Sequence, residues 1–135
     1  MREILFRGKP IMSKNEWVEG FYNCIPCDRF LCVDHCIQTI DDDGRIGLLY
    51  TVEESTVGQF TGLTDKNGKK IFEGDIVEVN HEAYPGVRGE VFFKNGSFML
   101  KNVSDVLSLY GFLPWCKVIG NIHDNPELLE VSDGN

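Results

Sequence analysis

Gln59-Phe60-Thr61-Gly62-Leu63-Thr64-Asp65-Lys66-Asn67-Gly68-Lys69-Lys70-Ile71-Phe72-Glu73-Gly74-Asp75-Ile76-Val77-Glu78-Val79 is the stretch that decides the fold. Short apolar runs rich in β-branched and aromatic residues alternate here with glycines and a turn dipeptide, which marks strands rather than helices. Asn67-Gly68 predicts a type I′ turn, in which both central residues need φ above zero. Gly62 and Gly74 predict bends or close backbone approach. Ile71, Phe72, Ile76 and Val77 are predicted core, with Val77 and Val79 pointing inward together. Burying four such side chains contributes on the order of 6–12 kcal/mol before conformational entropy is subtracted. Folding alone therefore explains the block. A functional reading would place Asp65, Lys66, Glu73 and Asp75 on the rim of a partner groove.

The same grammar runs outward in both directions. Upstream, Arg2–Arg7, Glu16–Tyr22, Phe30–Val33, Cys36–Ile40 and Ile46–Val52 are predicted strands, with Asp43-Gly44 as a turn. Downstream, Gly89–Phe93 and Ser97–Lys101 flank Asn95-Gly96, a strong hairpin signature. Lys117–Ile122 is a predicted closing strand. Two helical pieces are predicted, Ser104–Tyr110 behind a Ser cap and Asn125–Glu130 with Pro126 at the first helical position. The fold class is thus mostly β with short helices. Residues 1–58 are expected to form an N-terminal β subdomain. Residues 59–135 are expected to form a small, strongly bent barrel, the two halves possible as one unit.

The chain has 135 residues, 42% of them hydrophobic and 25% charged, the balance of a folded domain rather than a disordered tail. Its net charge is −8, spread evenly: residues 1–58 carry six basic and ten acidic side chains, residues 59–135 seven and eleven. An evenly acidic chain repels phosphate, so nucleic acid and anionic membranes are disfavoured partners. The one dense basic group, Lys66, Lys69 and Lys70, reads as a solvated turn. Ile4-Leu5-Phe6 is too short for a signal-peptide core, and no apolar stretch reaches membrane-span length. A location in the cytosol, with five reduced cysteines, is the expectation.

Cys24, Cys27, Cys32 and Cys36 form C-x2-C-x4-C-x3-C, with His35 as an alternative ligand. The number of thiols suits zinc. The four-residue separation of the two pairs does not, and strand residues four apart lie ~13 Å apart. A turn at Asp34-His35 would be needed, and buried thiols are the preferred reading. A Cys36–His35 dyad fails because adjacent strand residues point to opposite faces. Cys116 reads as core beside Trp115, set apart from His123. Asp41-Asp42-Asp43-Gly44 lacks the spacing of a calcium loop, and Glu53-Glu54 are splayed neighbours. No catalytic, cofactor-binding or metal residue is predicted. Trp17, Phe21, Tyr22, Tyr84 and Tyr110 are candidate contacts on an aromatic-lined surface.

Arg2–Lys9, Glu16–Gly20, Thr56–Val77 and Val118–Leu129 together resemble the YopX family of bacteriophage and prophage proteins. The resemblance spans Arg2 to Leu129. Asn23–Ile40, with its four cysteines, departs from the family pattern. The resemblance implies a mostly β fold with an SH3-like β-barrel in the C-terminal half, and oligomerisation. It implies no activity and no site residues. The functional expectation is a non-enzymatic phage or prophage accessory protein that acts by protein contact and self-associates. The alternatives are a nucleic-acid-associated module and a small thiol-dependent hydrolase.

Overall fold

The computed structural model describes residues 3–13, 15–26 and 33–130. The chain is mostly β, built of antiparallel strands, and divides into two compact units, 1–60 and 61–135. Among the described residues no helix is long and apolar enough to cross a membrane.

In the first unit β1 (Phe6–Gly8), β2 (Val18–Pro26), β3 (Val33–Ile40) and β4 (Ile46–Thr51) precede a short 3-10 turn at Glu54–Thr56 and the start of β5 (Gly58–Thr64). The order is β4-β3-β2-β1-β5, so β4 is an edge as far as Thr51, whose carbonyl accepts Ile11 N–H at 3.0 Å beside a Pro10–Val52 bridge. Phe30, Leu31 and Cys32 of one predicted strand lie outside the described residues. No turn breaks the chain at Asp34-His35; β3 runs on through both. β2 and β3 approach closely at Gly20, where an added Cβ would come 2.0 Å from the Gln38 carbonyl oxygen. Among the described residues of this unit, Ile37, Cys36, Val52 and Phe60 form the buried hydrophobic set.

The second unit takes over β5, which pairs with β6 (Lys70–Phe72). It then forms a five-stranded sheet from β7 (Asp75–His81), β8 (Tyr84–Lys94), β9 (Ser97–Lys101), β10 (Val106–Ser108) and β11 (Cys116–Asn121), ordered β10-β9-β8-β7-β11. β10 and β11 stand at opposite edges, so the sheet is open and no closed barrel forms among the described residues. Ile71, Val77, Val79, Val91, Leu100 and Leu109 dominate its core. Val77 and Val79 point inward as expected, and Ile76 on the other face is equally buried.

The predicted helix at Ser104–Tyr110 is replaced by a turn and β10. Asn102 Oδ1 accepts the N–H groups of Ser104 and Asp105, both at 2.8 Å, and closes a turn where a helix would start. Leu107 and Leu109 then point inward two residues apart, a strand period. A 3-10 helix, Tyr110–Trp115, follows. The second predicted helix forms as a 3-10 turn, Pro126–Leu129, with Pro126 at its start.

The two Asn-Gly turns differ. At Asn95-Gly96 both residues have positive φ, 54° and 81°, and Lys94 pairs with Ser97, the geometry of a two-residue type I′ hairpin. At Asn67-Gly68 only Gly68 is left-handed, φ 82°. Gly68 N–H donates to Asp65 O at 2.9 Å, and Asp65 N–H to Lys69 O at 2.8 Å, which gives a type I turn closed by a left-handed glycine. Asp65 Oδ1 selects this form by accepting the N–H groups of Asn67 and Lys69. Asp41–Arg45 repeats the motif, with Asp41 Oδ1 accepting Asp43 and Arg45 N–H.

Candidate functional site

Asp65 and Asp75, which the functional reading of the central block would place on a groove rim, are not on one. They are buried, 6% and 2% exposed, and both serve the backbone. Asp75 Oδ2 accepts Phe72 N–H at 2.8 Å. Asp65 Oδ2 accepts Val118 N–H at 2.9 Å, tying the β5–β6 turn to β11. Burial opposes the Asp65 charge, but the N–H groups of Val118, Lys69 and Asn67, helped by the Lys69 charge, outweigh it and hold its pKa below the ordinary 3.8. Lys66 and Lys69 are exposed on that turn, and Lys70 is exposed at the start of β6.

The cysteines separate. Cys36 is buried on one face of β3, and its thiol is 4.0 Å from Thr51 Oγ1. Cys24 is exposed on β2 and pairs in register with His35, whose side chain takes the face opposite Cys36. Cys24 and Cys36 therefore cannot share one ion. Cys27 and Cys32 lie outside the described residues. Among the described residues no group of three or more His, Cys, Asp or Glu side chains is placed to hold a metal. Cys116 is buried, and its thiol donates to Phe112 O at 3.1 Å. Burial, then the Asp65 charge, pushes the Cys116 thiol up to about 11, which suits a core residue and not a nucleophile.

The register that pairs Cys24 with His35 gathers a cluster absent from the sequence expectations. Tyr22, two residues before Cys24, lies on the same face and stacks on the His35 ring, centroids 5.8 Å apart. Val52 N–H donates to His35 O at 2.8 Å, fixing the chain as it leaves β4. Two residues on, Glu54 Oε2 comes 3.4 Å from His35 Nε2. The predicted strands Phe30–Val33 and Cys36–Ile40 carry no register against β2, so this pairing is not contained in them.

The expected aromatic contacts divide by role. Trp17 is held under Arg7, whose guanidinium carbon is 4.4 Å from the ring centroid. Tyr84 packs edge-on to Phe112 at 5.3 Å, beside the His81–Trp115 pair at 4.5 Å. Tyr110 and Phe21 are exposed. A groove of about 560 Å³ in the second unit runs past Glu78, Arg88, Asn102 and Leu128. Within it Arg88 Nε donates to Glu78 at 3.1 Å and Asn102 Nδ2 to Arg88 O at 3.0 Å.

β4 presents apolar side chains to solvent. Ile46, Leu48 and Leu49 are 80%, 68% and 50% exposed, and Ile46–Thr51 carries no charge. In register across the sheet, Phe21, Gln38 and Leu49 share one face, and Phe21 is 53% exposed. Ile25 follows on that face and is also exposed. Edge strands of soluble proteins ordinarily carry a charge, a proline or a cover, because a bare edge pairs with other chains.

The family model for YopX protein matches residues 13–130, and the chain belongs to the YopX family. No curated protein matches it. It is similar to the crystal structure of protein EF1440 from Enterococcus faecalis, 29% identical, with a TM-score of 0.61, covering 96% of this chain and 100% of that one.

Proposed function

We propose that this protein is a non-enzymatic phage or prophage accessory protein, acting in the host cytosol through protein contacts, and that its first contact is with a second copy of itself. The observation that carries the reading is β4: an uncharged edge with Ile46, Leu48 and Leu49 in solvent. Antiparallel pairing of two β4 edges about Leu49, whose backbone groups point away from β3, sets Leu49 of one copy opposite Leu49 of the other. In a chain of net charge −8, an uncharged edge is where two copies meet with least repulsion. The strand order of the second unit, with a 3-10 helix between β10 and β11, supports reading it as an open SH3-like sheet. The test is light scattering on a sizing column. The wild type is expected at twice 15.3 kDa. Leu49→Lys, at an exposed site that leaves the core intact, is expected at the monomer mass. A wild type that stays monomeric at every concentration refutes the proposal.

A further inference from the structure

Opposite Cys36, on the other face of the β2–β3 pair, four polar groups form a continuous chain of contacts that self-association does not use. The Cys24 thiol donates to Tyr22 Oη at 3.2 Å and lies 3.6 Å from His35 Nδ1. Tyr22 Oη is hydrogen-bonded to the same Nδ1. On the far side of the ring, Glu54 Oε2 faces Nε2 at 3.4 Å. The carboxylate assigns the ring proton to Nε2 and leaves the Nδ1 lone pair directed at Tyr22 and the thiol. Tyr22 remains protonated: its hydrogen bond with Cys24, burial, and the charges of Cys24 and Glu54 raise it to about 12. It therefore relays a proton without holding a charge of its own. The His35 side chain is only 14% exposed, while Cys24 is open to solvent. The base is sheltered and the sulfur accessible, the division of labour that thiol nucleophiles need.

We infer that Cys24 is a nucleophilic thiol, with His35 as its general base and Tyr22 and Glu54 as positioning residues, and that it takes small molecules bearing an electrophilic carbon. In the step, a sulfur lone pair attacks the carbon and the S–C bond forms. The bond to the leaving group breaks, and that group departs with its electron pair. The thiol proton passes to Nδ1, directly or through Tyr22, and the resulting imidazolium faces the Glu54 carboxylate. Nothing is oxidised or reduced.

Iodoacetamide tests this, with tandem mass spectrometry locating the label on Cys24 of the full-length protein. A peptide of residues 22–26 is the reference thiol. At neutral pH Cys24 is expected to react about tenfold or more faster than the peptide, in line with general-base assistance. His35→Gln is expected to return the rate to the peptide's. Glu54→Gln, at a side chain 75% exposed and so safe for folding, is expected to slow it and to make the rate climb with pH as the peptide's does. A merely structural Glu54 would leave that profile unchanged. A wild-type rate equal to the peptide's overturns the inference. So does acceleration seen only after EDTA treatment, which would mean that Cys24 and His35 hold a metal ion instead.

Discussion

Asp65→Ala separates a turn-forming aspartate from a buried hub, because the chain carries its own control. Asp41 and Asp65 make the same two turn bonds, to the second and fourth residues after them. Asp41 is exposed; Asp65 is buried and holds a third bond, to Val118 N–H across 53 residues. Removing Asp41 costs two solvent-accessible bonds, about 1 kcal/mol together. Removing Asp65 costs those and also strands a buried N–H that had a charged acceptor, a further ~1.5–3 kcal/mol. The expected losses are thus about 1 kcal/mol for Asp41→Ala and ~2.5–4 kcal/mol for Asp65→Ala. Urea unfolding measures both, with Trp17 fluorescence reporting the first unit and Trp115 the second. The m-value should stay at its wild-type value, so that the midpoint shift reads stability. If Asp65→Ala costs no more than Asp41→Ala, the Val118 bond contributes nothing and the reasoning fails.

Three further outcomes follow from the same contacts. Because the folded pKa of Asp65 is depressed below 3.8, its contribution is present above the ordinary carboxylate range and is lost as pH falls through the lowered value. The second unit should weaken on acidification over that window, and Asp65→Ala should lack this component in pH-resolved urea titrations. Gly20→Ala puts a Cβ into the Gln38 carbonyl and must push β2 from β3. Circular dichroism melts should show the first unit destabilised by about 2 kcal/mol or more, and a loss under ~0.5 kcal/mol would contradict the close approach. Cys116, with its thiol at about 11 and no exposure, should resist alkylation at pH 8 until urea unfolds the second unit.

Local patterns were legible where local forces decide. The Ile76–Val79 run and the Asn95-Gly96 turn carry their own geometry, and both form as read. Asn67-Gly68 departs from type I′ because a side chain two residues earlier, Asp65, captures the turn's N–H groups. The 104–110 segment has helical spacing, yet Asn102 closes a turn and inward Leu107 and Leu109 fit a strand. Tertiary facts were not legible. Whether β4 is an edge depends on which strand lies beside it, which no spacing within Ile46–Thr51 encodes. The Cys24–His35 pairing depends on register, and a shift of one residue would put the two on opposite faces.

The central claim, that β4 is a surface for a second copy, is tested most directly by hydrogen exchange at Leu49. Val52 N–H bonds to β3, so by strand alternation Leu49 N–H points outward from the sheet edge. Self-pairing predicts that this amide exchanges rapidly in dilute protein and becomes protected as concentration rises, while Leu49→Lys protein shows no such protection at its neighbours in β4. Equal, fast exchange at Leu49 across the whole concentration range would contradict it.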